Sequence, residues 1–143
     1  MKPMAEQRGL ELSFINDCGE VTVRVDEYIL LKIMDNLLDN AIKFTRKGYI
    51  RVRMYFNTDK DVCIEVKDSG IGMSPEYQKM LFEPYSQEEV GYSRSYEGIG
   101  LGLALVKRYL KLHGADISVS SIKGKGTTFT IQGLEPVSLD RKK

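Results

Sequence analysis

A single histidine, His113, occurs in the 143 residues, which argues against metal sites and catalytic sets built on imidazole. The two cysteines, Cys18 and Cys63, are too few for a disulfide scaffold, and neither stands in a metal-ligand spacing with His113. They read as reduced thiols of a cytosolic domain. No apolar run approaches the roughly 20 residues that a membrane span needs, and the first residues lack a signal-peptide core. An excess of one charge is missing as well. With 21 Lys and Arg against 20 Asp and Glu the net charge is +1, so no field is available to hold a nucleic-acid backbone or an anionic membrane. What is present is a composition that is 42% apolar, enough for a core, in a length that suits one domain.

Residues 1–9 and 135–143 are polar and patternless and read as flexible edges of a domain spanning 10–134. Apolar and polar residues alternate over Leu10–Phe14 and Val21–Val25 around the turn-like Asn16-Asp17-Cys18-Gly19, which predicts a β-hairpin. Behind Asp26, the stretch Glu27–Thr45 lacks Gly and Pro and repeats apolar residues at helical spacing. A second hairpin is expected from Ile50–Phe56 and Asp61–Lys67, and a short helix from Ser74-Pro75. Residues 82–98 show no period and read as a long loop of a functional kind. A third helix over about Gly100–Leu112, capped by Gly114, precedes two strands, Asp116–Ser121 and Thr127–Gln132. Hairpins interleaved with about three helices predict a two-layer α/β sandwich, a mixed, mostly antiparallel sheet covered on one face.

Asn36, Asn40 and Lys43 fall at i, i+4 and i+7 of the first helix, within roughly 60° of one another. A solvated stripe is the plain explanation, yet asparagine is unfavourable in mid-helix because it competes for backbone hydrogen bonds. Its amide oxygen suits Mg²⁺, a hard cation that takes oxygen ligands, and a lysine one turn on could meet a phosphate. Asp68-Ser69-Gly70-Ile71-Gly72 ends a strand on a carboxylate able to accept from an exocyclic amine, followed by glycines that let backbone approach a flat ring. Gly98-Ile99-Gly100-Leu101-Gly102-Leu103 opens the third helix as a phosphate cradle in outline. It lacks the Gly-Lys-Ser/Thr ending of a P-loop and does not follow a first strand, which excludes the Walker and Rossmann patterns. Met54, Met73 and Met80 read as filler, Tyr85, Tyr92 and Tyr96 as packing within their loop, and Lys123 and Lys125 as turn residues.

The order of these boxes is more specific than any one of them. An Asn-x₃-Asn-x₂-Lys-Phe helix, Asp-x-Gly-x-Gly, Phe82-Glu83-Pro84-Tyr85, Gly-x-Gly-x-Gly-Leu and Gly124-x-Gly-Thr-Thr-Phe129 together resemble the ATP-binding catalytic domain of sensor histidine kinases. The wording between boxes is similar to that of bacterial hybrid or multi-domain kinases. The resemblance implies the Bergerat ATP-binding fold, with ATP and Mg²⁺ as cofactors. It implies Asn36 and Asn40 at the metal and phosphates, with Asn40 the leading Mg²⁺ ligand, Lys43 on phosphate, and Phe44 near the ribose or adenine. Asp68 would accept from the adenine amine, in a pocket shaped by Gly70, Ile71 and Gly72. Residues 82–98 would form a lid, with Arg94 on the γ-phosphate and Gly98, Gly100, Leu101, Gly102 and Leu103 at its phosphate-contacting hinge. Glu97 departs from the family pattern, which often has glycine there. Thr127 shares a strand face with Phe129 and Ile131 and would point toward Asp68.

The activity so implied is donation of the γ-phosphoryl group to a histidine on a separate dimerisation domain, with a response regulator or receiver downstream. The domain would be monomeric, without nucleic-acid or direct membrane contact, and cytoplasmic or the cytoplasmic part of a membrane-anchored sensor. Gyrase-type topoisomerases, a heat-shock chaperone and mismatch-repair ATPases share the fold but carry glutamate where Asn36 stands. An amide cannot take the proton of an attacking water, which disfavours hydrolysis here. A degenerate docking module is the other alternative, and the intact Asn40, Asp68 and glycine boxes speak against it.

Overall fold

The computed structural model describes residues 9–82 and 103–137. Among them, in chain order, run β1 (Leu10–Asn16), α1 (Glu27–Phe44), β2 (Gly48–Phe56), β3 (Val62–Asp68), α2 (Pro75–Met80), α3 (Leu103–Leu112), β4 (Asp116–Ile122) and β5 (Gly126–Leu134). The strands form one five-stranded sheet in the order β1-β2-β3-β5-β4, parallel between β1 and β2 and antiparallel at the other three pairings.

Local chemistry accounts for the element ends. Asp26 caps α1 by accepting the Ile29 N–H at 3.0 Å, and Ser74 caps α2 by accepting the Tyr77 N–H at 3.2 Å, with Pro75 in the first helical turn. At the end of α3, Gly114 has φ +78°, and the N–H groups of Gly114 and Ala115 donate to Lys111 O and Leu110 O at 3.1 and 2.8 Å. This double closure is a Schellman motif, which satisfies carbonyls the helix leaves open.

Ile50 and Val52 of β2, Val62, Ile64 and Val66 of β3, Phe129 and Ile131 of β5 and Ile117 of β4 are buried and belong to one core cluster. Buried residues of all three helices join that cluster, among them Leu37, Tyr77 and Leu110. The two-layer arrangement expected from the sequence is the one observed. On the alternate positions Arg51 stacks on Tyr49 and Arg53 on Tyr55, 5.1 and 4.6 Å from the ring centroids, giving a polar second face.

The first expected hairpin is not formed. β1 pairs in parallel with β2, Leu12 beside Ile50, and Val21–Val25 makes only a bridge between Val23 and Pro136. Arg24 N–H donates to Glu135 O at 2.8 Å and Val137 N–H to Thr22 O at 2.7 Å, so this segment lies along residues 135–137. Val21, Val23 and Val25 pack against the core. Alternation reports that one side of an extended segment is buried, not which strand lies beside it.

Candidate functional site

The carboxyl end of α1, the loop after β3 and the β4–β5 turn meet at one end of the sheet. Their junction is a narrow cleft, partly open to solvent, walled by Leu37, Ala41, Val66, Met73 and Phe129. Its polar lining comes from Asn40, Asp68 and Thr127.

Asp68 closes β3 directly across from Thr127. Asp68 is only 8% exposed. Its Oδ1 accepts from Gly70 N–H at 2.8 Å and Thr127 N–H at 3.3 Å, and its Oδ2 takes no hydrogen bond among the described residues. Burial pushes the carboxyl above the ordinary carboxylate value, and the two N–H groups offset part of that. The loop leaves Asp68 through two glycines for steric reasons. A Cβ on Gly70 would collide with the Phe44 carbonyl and stand 2.7 Å from Thr45 Oγ1, a fully buried hydroxyl with no partner among the described residues. Gly72 has φ +71°, and a Cβ there would meet the Ile122 backbone.

The loop is then fastened on both sides. Ile71 N–H donates to Phe44 O at 3.2 Å, and Gly124 N–H donates to Ile71 O at 2.7 Å. Met73 N–H donates to Ser121 Oγ at 2.8 Å, while Gln78 Nε2 donates to both Met73 O and Ser121 O at 3.0 Å.

On α1, Asn40 is buried and its Nδ2 donates to Asn36 Oδ1 at 2.9 Å. That bond uses one of the two Asn40 N–H donors and leaves the Asn40 Oδ1 without a protein partner among the described residues. A free amide oxygen lining a cleft suits a hard cation such as Mg²⁺.

Of the residues predicted from the sequence, Asn40, Phe44, Asp68, Ile71, Gly72 and Thr127 line the cleft together, and Gly70 braces Asp68 from behind. Asn36 lies half-buried in the adjoining groove between α1 and α3. Lys43 is exposed in the last turn of α1, where its charge complements the helix dipole, and does not line the cleft. Leu103 is fully buried in the core rather than at the cleft. Phe82, taken from the sequence as the first lid residue, packs on the core beneath Lys107, with Nζ 5.0 Å from its ring centroid. Arg94, Gly98, Gly100, Leu101, Gly102 and the rest of the lid lie outside the described residues. His113 sits at the end of α3 with its ring 4.4 Å from that of Tyr109.

Ser121, Gln78 and Thr45 are the contributors that sequence reasoning missed. Ser121 did carry a signal, because it falls on the same alternate positions as Ile117 and Val119, so a hydroxyl stands there on a core-facing register.

Residues 25–136 match the family described as histidine kinase-, DNA gyrase B- and HSP90-like ATPase. The autoinducer 2 sensor kinase/phosphatase LuxQ of Vibrio parahaemolyticus is 38% identical over 136 residues, covering 91% of this chain and 16% of LuxQ. The circadian input-output histidine kinase CikA of Thermosynechococcus vestitus is 43% identical over 108 residues, covering 75% of this chain and 14% of CikA. The chain therefore spans about a sixth of the length of these curated relatives. The crystal structure of full-length ShkA in complex with AMPPNP superposes with a TM-score of 0.78 at 28% identity, over 96% of this chain and 28% of ShkA. By its motifs, its sheet and these matches, the chain belongs to the histidine kinase-, DNA gyrase B- and HSP90-like ATPase family, among relatives that are histidine kinases.

Proposed function

We propose that this chain binds Mg·ATP and donates the γ-phosphoryl group to a histidine on a separate dimerisation domain, as the catalytic part of a two-component sensor kinase. In that transfer the imidazole nitrogen forms the new P–N bond, and the bond from the γ-phosphorus to the bridging oxygen breaks with ADP as leaving group. The observation that carries the assignment is the buried Asp68, one oxygen held by two backbone N–H groups and the other left to an apolar cleft. A group in that setting recognises an N–H donor on a flat ring, and the exocyclic amine of adenine is such a donor. Asn40 Oδ1 would hold Mg²⁺, which when bound neutralises phosphate charge. Lys43 and Arg94 are assigned to phosphate, Asn36 to the metal side through Asn40, and Gly98, Gly100, Leu101 and Gly102 to the hinge around the triphosphate. A phosphoacceptor domain, and indirectly a receiver, are the partners this implies.

Several features support this over hydrolysis. The cleft offers no carboxylate besides Asp68 among the described residues, and Asn36 is an amide whose oxygen already accepts from Asn40. Among the described residues no helix is long and apolar enough to cross a membrane. Titration calorimetry provides the test. ATP binding should be strengthened by Mg²⁺ and should fall by at least about tenfold in Asp68→Asn, the worth of one hydrogen bond to a charged group. Unchanged binding by that variant would remove Asp68 from the base site.

A further inference from the structure

Residues 71–74 belong to no helix or strand, so the path on which they line the cleft rests on individual hydrogen bonds. Ile71 is tied through backbone groups to Phe44 and Gly124, whereas both polar groups of the Met73 backbone are held by side chains. The Met73 N–H donates to Ser121 Oγ at 2.8 Å, and its carbonyl accepts from Gln78 Nε2 at 3.0 Å. The same nitrogen donates to Ser121 O, also at 3.0 Å. Two carbonyls can only accept, which fixes the Gln78 amide with its nitrogen between them and commits one N–H to each. Met73 directly precedes the Ser74 cap of α2 and Gln78 lies four residues beyond it. Contact between those two positions sets the angle at which a chain enters a helix. Here the contact is polar, and it extends past α2 to the edge strand β4. Met73 itself is 7% exposed and walls the cleft.

We propose that Gln78 is a positioning residue of the cleft: by holding Met73 O and Ser121 O with one amide nitrogen it fixes the Met73 wall in place, and nucleotide affinity depends on that fixation. The inference rests on the nucleotide assignment of the preceding subsection. Gln78 does not line the cleft and acts through Met73. A wall that is already fixed needs little ordering when a ligand enters, whereas a loosened one must be ordered at the moment of binding, which lowers affinity. With the Gln78 donors removed, the Met73 backbone keeps only its bond to Ser121 Oγ, and the carbonyls of Met73 and Ser121 lose the group that joined them. α2 has six residues, too few to keep its place by helix formation alone, so the loop and the helix hold each other through this amide.

The test compares dissociation constants of Mg·ATP for the wild type, Gln78→Met and Gln78→Glu, measured by titration calorimetry well below each protein's thermal transition. Methionine keeps the length of glutamine without a donor, and ionised glutamate keeps its shape with acceptors alone. Each variant should bind about tenfold more weakly, the worth of one to two neutral hydrogen bonds. The ¹³C methyl resonance of Met73, assigned by its absence from Met73→Leu, supplies a second reading. In the nucleotide-free variants it should be shifted or broadened relative to the wild type. Wild-type affinity in Gln78→Met, even with a lowered melting temperature, would overturn the proposal and leave Gln78 as a structural tie. So would weakened binding with an unaltered Met73 resonance, because the loss would then not pass through Met73. Where Gln78→Met gives no cooperative thermal transition, Gln78→Glu is read under the same two outcomes. A wild type that binds no ATP overturns the nucleotide assignment and this inference with it, a result distinct from variants that bind as the wild type does.

Discussion

Burying Asp68 removes solvation from its charge, and the N–H groups of Gly70 and Thr127 return only part of it, so the carboxyl titrates above its ordinary value. A raised folded-state value means that the contribution to stability is complete below the unfolded value and is lost as pH rises through the folded one. At neutral pH the ionised Asp68 is therefore a cost to folding. Asp68→Asn keeps an oxygen for both N–H donors and removes the charge. Thermal melts should place this variant at or above the wild type at pH 7, with the advantage shrinking toward about pH 3, where the carboxyl is protonated in both states. A variant clearly less stable than the wild type at pH 7 would refute the cost. Asp68 and Thr127 were legible in the sequence because one ended a strand before two glycines and the other kept step with Phe129 and Ile131. The Asn36–Asn40 bond was not, since two amides on one helix face can equally point to solvent. Ser121 offered only its core-facing register in β4 as a signal, and a serine before a glycine-rich turn usually reports the turn.

Lys107 joins three elements: its Nζ donates to Asp116 Oδ1 at 2.8 Å and Ile117 O at 3.2 Å at the start of β4, and it lies over Phe82 beyond α2. Partial burial pushes Asp116 up, but the hydrogen bonds from Lys107 and from Ile117 N–H, with the charges of Lys107 and Lys111, together carry it below its ordinary value. The sign is opposite to that of Asp68. This stabilisation is present above the unfolded carboxylate value and is lost as pH falls through the folded one. Asp116→Asn should cost up to about 1 kcal/mol near pH 6, the range for a partly exposed ion pair, and little in strong acid. Denaturant melts at the two pH values check this, and an equal loss at both would assign the effect to packing. α1, the second hairpin, α2 and the closing strands followed from period and caps, which act within one element. The parallel pairing of β1 with β2 did not, because β1 and β2 are separated by the whole of α1 and only the assembled sheet decides which strand lies beside which.

At the scale of the whole molecule, the cleft exists because the carboxyl end of α1, the loop after β3 and the β4–β5 turn are tied to one another by Phe44 O, Ile71 O and Ser121 rather than by a single element. Such an arrangement can hold a nucleotide firmly without supplying the means to hydrolyse it. Phosphoryl transfer depends mainly on positioning and charge neutralisation, and attack by water further needs a group that orients or deprotonates it. Asn36 cannot accept that proton, its amide oxygen is engaged by Asn40, and Asp68 is held by the backbone N–H groups of Gly70 and Thr127. His113, the one histidine, packs on Tyr109 at the end of α3. With γ-labelled ATP and Mg²⁺, the isolated chain should therefore bind nucleotide yet release phosphate little above buffer and acquire no label. Adding a dimerisation domain that carries an acceptor histidine should yield acid-labile label on that domain, and Asp68→Asn in the donor should reduce it in proportion to lost ATP binding. Brisk phosphate release by the chain alone would mean that water is activated by a group other than Asn36, and would move the chain toward the hydrolysing members of its family.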